Sequence, residues 1–470
     1  MSRLRIQVLA ATVFVLAWMQ SAALGPKHES GVLPIDPPTP YIHYFGETPN
    51  RGRVLVVHGL DVSKETIGLF SSALADGGFD VYAMDLPGHG DSKVGFQTDL
   101  AQQAISNAKR YLGEKIFVAG HSMGAGLLLD LAETEQFSTM VLLSPPPISI
   151  AEIHAERVLI ATDRMDIPRI RSFVPIAADI GSPNVEAWDL PWGGHSALIH
   201  NPAYVRQIVE WLGGDGTRTR TTSRLLWLIL MFAAAVTFGV SLLPGRPLEF
   251  VDVSASTIFA RYIVAFGVGL LVLKFVNPMG WVRLFATDYL IGFFFVAGLC
   301  SLAMEGNIKT QGHRGRSASA IAHSLKKGIA TAMLAAVFVI GIPGFLVVSR
   351  ALHMSLSDGR WWRFPCFAIA AFPLFMSDEL AIRHIQPRWK SEMVALLTRI
   401  LLLAFLLTGV LTINRGDAFL VLIAPLITVF WIALWFASGV IHRHTQCPIA
   451  AAMFAAILQG WAFAAWFVTI

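Results

Sequence analysis

The sequence predicts two structural classes in one chain: an α/β domain, with a mostly parallel sheet flanked by helices, and then an all-α transmembrane domain. Two observations carry this prediction. Of the 470 residues 54% are hydrophobic and only 14% are charged, a balance outside that of ordinary soluble domains. The apolar excess is also uneven. Residues 25 to 224 read as globular sequence, whereas from Leu225 to Ile470 nearly every window of about 20 residues is an apolar run of bilayer-spanning length.

The elements follow in chain order. Met1-Ser-Arg-Leu-Arg5 is a positive n-region, and Ile6 to Leu24 is an apolar stretch ending in the small residues Ser21, Ala22 and Ala23. Residues 1–24 therefore read as a signal peptide, cleaved after Ala23, or as a signal anchor. Pro26, Pro34, Pro37, Pro38 and Pro40 mark residues 25–39 as a linker rather than a packed element. The α/β domain spans 40–213. From Arg53 short β-branched runs alternate with longer amphipathic stretches, the pattern of a parallel sheet covered by helices. It predicts strands at Val54–Val57, Asp80–Met84, Lys115–Ala119, Thr139–Leu143, Arg157–Ala161 and Val185–Asp189. Helices are expected near 63–76, 97–112, 123–134 and 201–212. Gly213-Gly-Asp-Gly216 then breaks the pattern, and 214–224 is a second linker.

Residues 225–470 hold about eight candidate spans, centred near residues 234, 266, 296, 338, 372, 405, 429 and 459. If all eight cross, the loops opposite the α/β domain carry Arg246, Lys309, Arg314, Arg316, Lys326, Lys327, Arg383, Arg388, Lys390 and Arg443, to which Arg3 and Arg5 add. The loops on its own side carry fewer: Arg218, Arg220, Arg224, Lys274, Arg283, Arg350, Arg360, Arg363 and Arg415. The positive-inside rule then puts the α/β domain outside the cytoplasm.

Chemistry concentrates in the α/β domain. Lys115-Ile-Phe-Val-Ala-Gly120-His-Ser-Met-Gly124 runs from a strand into a helix through Gly120-x-Ser122-x-Gly124, a nucleophile elbow. The glycines suit a turn too tight for Cβ atoms near the serine, which lifts the Ser122 hydroxyl above the sheet. Upstream, Val54-Leu-Val-Val-His58-Gly-Leu60 ends a strand in His-Gly. Acyl transfer needs two backbone N–H groups aimed at the developing alkoxide, and Leu60 and Met123 would supply them. Met84-Asp85-Leu-Pro-Gly-His-Gly-Asp-Ser92 reads as structural, with Asp85 and His89 holding loops.

A serine hydroxyl is a weak nucleophile without a base, so a histidine and a carboxylate must follow it. Trp192-Gly-Gly-His195-Ser follows the last predicted strand, and Asp163 and Asp166 follow the strand before it. The order Ser, Asp, His results, with His195 as general base and one of two competing carboxylates orienting it.

In combination these motifs resemble the α/β hydrolases, in particular monoacylglycerol-lipase-like and other serine esterases with a Gly-His-Ser-Met-Gly elbow. The resemblance implies an α/β-hydrolase fold over 40–213 and a Ser-Asp-His set. Because related sequences place the acid just before a hydrophobic-Pro step, Asp166 is favoured over Asp163. Only a short stretch separates Ser144 from Arg157, where relatives often insert a lid, so no large lid is expected.

The functional expectation is a membrane-bound serine hydrolase acting on a small-molecule or lipid-like carboxylic ester through acyl-Ser122. The same triad could instead serve an acyltransferase, and a hydrolase-like ligand-binding domain on a transporter or sensor is a reading from another class. The lipid bilayer is an expected partner. Nucleic acid is not, since a net charge of +4 with no aromatic-interleaved basic patch offers no footprint for it. No metal or nucleotide motif is present, so no cofactor is expected. Cys300, Cys366 and Cys447 all fall in the apolar half.

Arg261, Asp288, Asp378, Glu379 and Arg399 stand in or near spans, where charge is costly. Pairing or proximity to a span end is the expected reason. Asp378-Glu379-x-x-x-Arg383 is similar to the acidic-pair-plus-Arg motif of intramembrane prenyl-protein proteases, but the aromatic-x-x-x-His partner is not evident, His442 and His444 lacking that spacing.

Overall fold

The structure, a computed structural model, describes residues 2–470 apart from 47–49, 114, 150–151, 180–183, 249–253, 277–279, 285–286, 306–317, 358 and 414–419. Lys309, Arg314, Arg316 and Arg415, which enter the charge comparison between loops, lie outside the described residues. The chain divides into two units. One comprises Thr12–Ala234, Phe345–Ser357 and Val468–Ile470, and the other Met1–Ala11, Ala235–Gly344 and Asp358–Phe467.

The first unit is built on an eight-stranded sheet of order β1-β2-β4-β3-β5-β6-β7-β8. Its strands are β1 (His28–Leu33), β2 (Thr39–Tyr44), β3 (Arg53–Val57), β4 (Asp80–Met84), β5 (Phe117–His121), β6 (Phe137–Leu143), β7 (Ala155–Asp163) and β8 (Val185–Leu190). β1 pairs antiparallel with β2 and β2 with β4; all later pairings are parallel. This is the α/β-hydrolase fold. The first hairpin differs from the sequence reading, which took residues 25–39 for a linker. The prolines sit in the turn and at strand ends, while His28–Leu33 between them pairs residue by residue with Thr39–Tyr44.

Continuous apolar runs mark strands buried on both faces, and β3 shows why. Leu55 and Val57 pack on one side with Ala101, Ala104, Ile105 and Ala108 of α3 (Thr98–Leu112). Val54 and Val56 pack on the other with Phe70, Ala73 and Leu74 of α2 (Gly68–Asp76) and Ile208 and Val209 of α7 (Pro202–Trp211). Each of the Val, Leu, Ile and Phe side chains among them contributes roughly 1.5–3 kcal/mol on burial. Between these lie α4 (Met123–Leu131), α5 (Pro168–Asp179) and α6 (Ala197–His200). Residues 144–149 and 152–154, between β6 and β7, are irregular and hold no lid helix.

Among the described residues nine helices are long and apolar enough to cross a membrane. α1 (Arg3–Leu24) is the first, and the others run from α8 (Thr221–Leu242) through α9 (Ala255–Phe275), α10 (Thr287–Met304), α11 (Ala318–Val339), α12 (Arg363–Ala381), α13 (Arg388–Thr412) and α14 (Leu420–Thr445) to α15 (Pro448–Trp466). Within the second unit α15 touches α12 through Gly460, where a Cβ would meet the Phe364 carbonyl at 2.8 Å, a small-residue contact typical of apolar bundles. Two clusters of buried charge there are paired. Arg399 bonds Asp378, which also accepts from the Tyr262 hydroxyl. Glu379 receives Arg383 Nη2, Ser438 Oγ and His442 Nδ1, each at 2.7 Å. The sequence shows no aromatic-x-x-x-His partner for the Asp378-Glu379 pair, but the fold brings His442 of α14 to Glu379 without that spacing.

Candidate active site

The elbow forms where β5 runs into α4. Ser122 has φ 53° and ψ −121°, a strained conformation held by its surroundings. Both flanking glycines are sterically required. A Cβ on Gly120 would lie 2.7 Å from the Ala125 nitrogen, and one on Gly124 would lie 2.5 Å from the His58 carbonyl oxygen. The elbow therefore packs directly on the end of β3.

Ser122 Oγ lies 2.9 Å from His195 Nε2, and His195 Nδ1 lies 2.9 Å from Asp166 Oδ1. Since the carboxylate can only accept, Nδ1 carries the proton toward Asp166 and Nε2 is left to accept from the serine hydroxyl. The Asp166 side chain is fully buried and His195 is 18% exposed, so one end of the relay is dry and the other reachable. Burial alone would raise the Asp166 carboxyl, but hydrogen bonds from His195, Ser144 and the Ile167 N–H, with the charge of His195, hold it below the usual carboxylate value.

Asp163, the competing carboxylate, is placed differently. It accepts from the N–H groups of Met165 and Gly194, at 2.7 and 2.9 Å, and so tethers the turn after β7 to the loop that carries His195. That loop is also braced by Tyr204, whose hydroxyl donates to the Trp192 carbonyl at 2.6 Å.

The loop after β3 comes close to the serine: a Cβ on Gly59 would lie 3.1 Å from Ser122 Cβ. Leu60 follows at once, while Met123 begins α4 on the other side of Ser122. His58 fixes this loop. Its Nδ1 lies 2.7 Å from the Gly59 carbonyl and its Nε2 3.0 Å from the Leu86 nitrogen. The first partner only accepts and the second only donates, which defines a neutral Nδ1–H tautomer. Burial lowers the His58 pKa, in keeping with that state. The Gly59 carbonyl and the Leu60 N–H belong to one trans peptide and point in opposite directions, so the bond from His58 sets the direction of the Leu60 N–H.

Asp85 holds loops, accepting from the backbone nitrogens of Lys64 and Asp91 at 2.9 Å each, and His89 Nδ1 bonds the Pro87 carbonyl. His121 was not singled out in the sequence, although it stands in the elbow. Its Nε2 donates to the His195 carbonyl across 3.0 Å.

Residues 48–180 match the family model of the S33 serine aminopeptidases, and the chain carries an α/β-hydrolase domain. Solved structures with similar backbones include a monoacylglycerol lipase of Paleococcus ferrophilus, at 21% identity and TM-score 0.34, covering 40% of this chain and 99% of that one. An esterase of Pyrococcus furiosus aligns at 16% identity and TM-score 0.35, over 41% and 94% of the two chains. An α/β serine hydrolase without a lid from Xanthomonas campestris aligns at 17% identity and TM-score 0.34, over 39% and 92%. No curated protein matches the sequence.

Proposed function

We propose that this protein is a membrane-bound serine hydrolase that cleaves a carboxylic ester of an amphiphilic, lipid-like molecule through an acyl-Ser122 intermediate. The observation that carries this reading is the pair of 2.9 Å contacts linking Ser122, His195 and Asp166.

In the reaction, His195 Nε2 takes the hydroxyl proton as Ser122 Oγ attacks the ester carbonyl carbon. Asp166 keeps the imidazole in the required tautomer and stabilises the imidazolium. The N–H groups of Leu60 and Met123 bind the oxyanion. Collapse expels the alcohol, protonated by His195, and leaves acyl-Ser122. Water activated by the same imidazole then releases the acid. The nine apolar helices support embedding in a bilayer, where tethering keeps the site near lipid-phase substrates, and the distribution of Lys and Arg favours an extracytoplasmic hydrolase domain.

The test is hydrolysis of a chain-length series of p-nitrophenyl esters by the full-length protein in detergent, beside Ser122→Ala and His195→Ala. Wild-type turnover with a loss of about a thousandfold or more in both variants supports the reading. A wild type inert toward every ester, whose Ser122 also resists a fluorophosphonate, overturns it.

A further inference from the structure

A second cluster of ionisable groups lies in the hydrolase unit, apart from the serine. It joins three stretches distant in sequence: Glu65 on the loop after β3, Asp91 on the loop after β4, and His353 in the 345–357 segment that belongs to this unit. Each offers one ligand atom, and the three atoms lie within 4.8 Å of one another.

The carboxylates are already half used. Lys64 Nζ lies 2.9 Å from Glu65 Oε1, 2.7 Å from Asp91 Oδ2 and 2.5 Å from Asp85 Oδ2. The Lys64 side chain is only 3% exposed, so its ammonium sits among these carboxylates. It occupies one oxygen of Glu65 and one of Asp91 and leaves Glu65 Oε2 and Asp91 Oδ1 turned toward His353. That histidine is 5% exposed. Its Nδ1 stands 3.6 Å from Glu65 Oε2 and its Nε2 3.7 Å from Asp91 Oδ1, beyond the usual hydrogen-bond distance. Both His353 Nε2 and Glu65 Oε2 are buried without a hydrogen-bond partner.

Two needs coincide here. Buried polar atoms require partners, and an unmet one costs on the order of 1–3 kcal/mol. Three carboxylates against one ammonium leave two negative charges in excess over Asp85, Glu65 and the half-exposed Asp91, which is unfavourable. A protonated His353 would remove one of them. A divalent cation bound to a neutral His353 removes both and gives His353 Nε2 and Glu65 Oε2, the two unpartnered atoms, a common partner. One imidazole with two carboxylates is a donor set suited to zinc and ill suited to magnesium.

We propose that Glu65, Asp91 and His353 bind one divalent zinc-type cation, with water completing the coordination, and that this cation staples the 345–357 segment to the loops that follow β3 and β4. The site is distinct from the serine centre and requires no particular reaction there.

The experiment uses the full-length protein in detergent, stripped with chelator and titrated with Zn²⁺ alone. Bound metal is measured by mass spectrometry, unfolding temperature is followed in parallel, and Mg²⁺ serves as the control cation. His353→Ala and the near-isosteric Glu65→Gln are compared with wild type after circular dichroism has shown both to be folded. One equivalent of zinc in wild type, a rise in Tm with Zn²⁺ but not Mg²⁺, and affinity weakened about tenfold or more in both variants support the site. Absence of saturable zinc in wild type overturns it, as does equal binding by wild type and both folded variants. A zinc-indifferent Tm that falls on deprotonation of His353 also overturns it, since it would make the histidine an imidazolium clamp.

Discussion

The main-chain carbonyl of His195 accepts a hydrogen bond from Nε2 of His121, the residue immediately before Ser122, across 3.0 Å. The two rings are 5.0 Å apart between centroids. Burial, with the nearby charge of His195, pushes the His121 pKa down to about 3, so its ring is neutral and its single proton sits on the nitrogen that faces the carbonyl. His121 thus ties the backbone of His195 to the element that carries Ser122. His121→Phe keeps the bulk and removes the bond. We expect kcat to fall by about ten- to a hundredfold with little change in KM, the response to a misplaced catalytic group. Steady-state ester hydrolysis measures the split.

The same histidine links folding to pH. Its value falls from 6.5 in the unfolded chain to about 3 in the folded one. Above pH 6.5 neither state is protonated there. Between 6.5 and about 3 the unfolded chain holds a proton that the folded chain lacks, so stability is lost as pH falls, by about 1.4 kcal/mol per pH unit. Denaturant unfolding over that window should be shallower by one proton in His121→Phe than in wild type. Equal slopes would mean that His121 takes up its proton in the native state.

The two carboxylates after β7 should separate cleanly. Asp166→Asn removes the charge that holds His195 Nδ1–H and should lower kcat by roughly ten-thousandfold. Asp163→Asn retains an oxygen that can still accept from Met165 and Gly194, and should cost about tenfold or less, mainly through loop stability. A reversal of this order in parallel kinetics would assign the orienting role to Asp163.

His58 offers a test of the oxyanion geometry. Its bond to the Gly59 carbonyl orients the peptide that ends in the Leu60 N–H. With His58→Leu that peptide loses its tether. The rate of Ser122 acylation should fall by about ten- to a hundredfold, less than deletion of a whole donor would cost, with KM little changed. Single-turnover acylation is the relevant measurement, since it reads the step in which the oxyanion forms.

What could be read from the sequence divides along a physical line. Strands β3 to β7 were visible because apolar residues buried on two faces leave a local pattern, whereas β8 is largely exposed. Ser122 was visible because its conformation demands glycines at fixed offsets, and His195 because it follows the last strand in the expected order. β1 was hidden by the prolines around it, which speak for the turn and not for the strand between turns. Asp163 and Asp166 stand three residues apart after the same strand, and only the path of the loop that carries His195 separates the carboxylate bonded to its ring from the one bonded to the Gly194 backbone. His121 and His58 act through hydrogen bonds to carbonyls, which no residue pattern encodes. His442 reaches Glu379, and His353 approaches Glu65 and Asp91, only once distant helices and loops have met.

The hydrolase unit is stitched from three stretches of chain, and its last stitch comes late. Thr469 accepts from the Phe96 nitrogen at 2.8 Å and donates its own N–H to the Gly88 carbonyl at 3.0 Å, while the Val468 nitrogen bonds Asp61. A ribosome reaches these residues only after synthesising every apolar helix that follows Arg220. The loops bearing Asp61, Gly88 and Phe96 must therefore wait, without these hydrogen-bonding partners, while the eight apolar helices described after Arg220 are made. Synthesis of the apolar half becomes a timer on completion of the hydrolase unit, so a chain stalled halfway through it would have Ser122 in place and the surrounding loops unfinished.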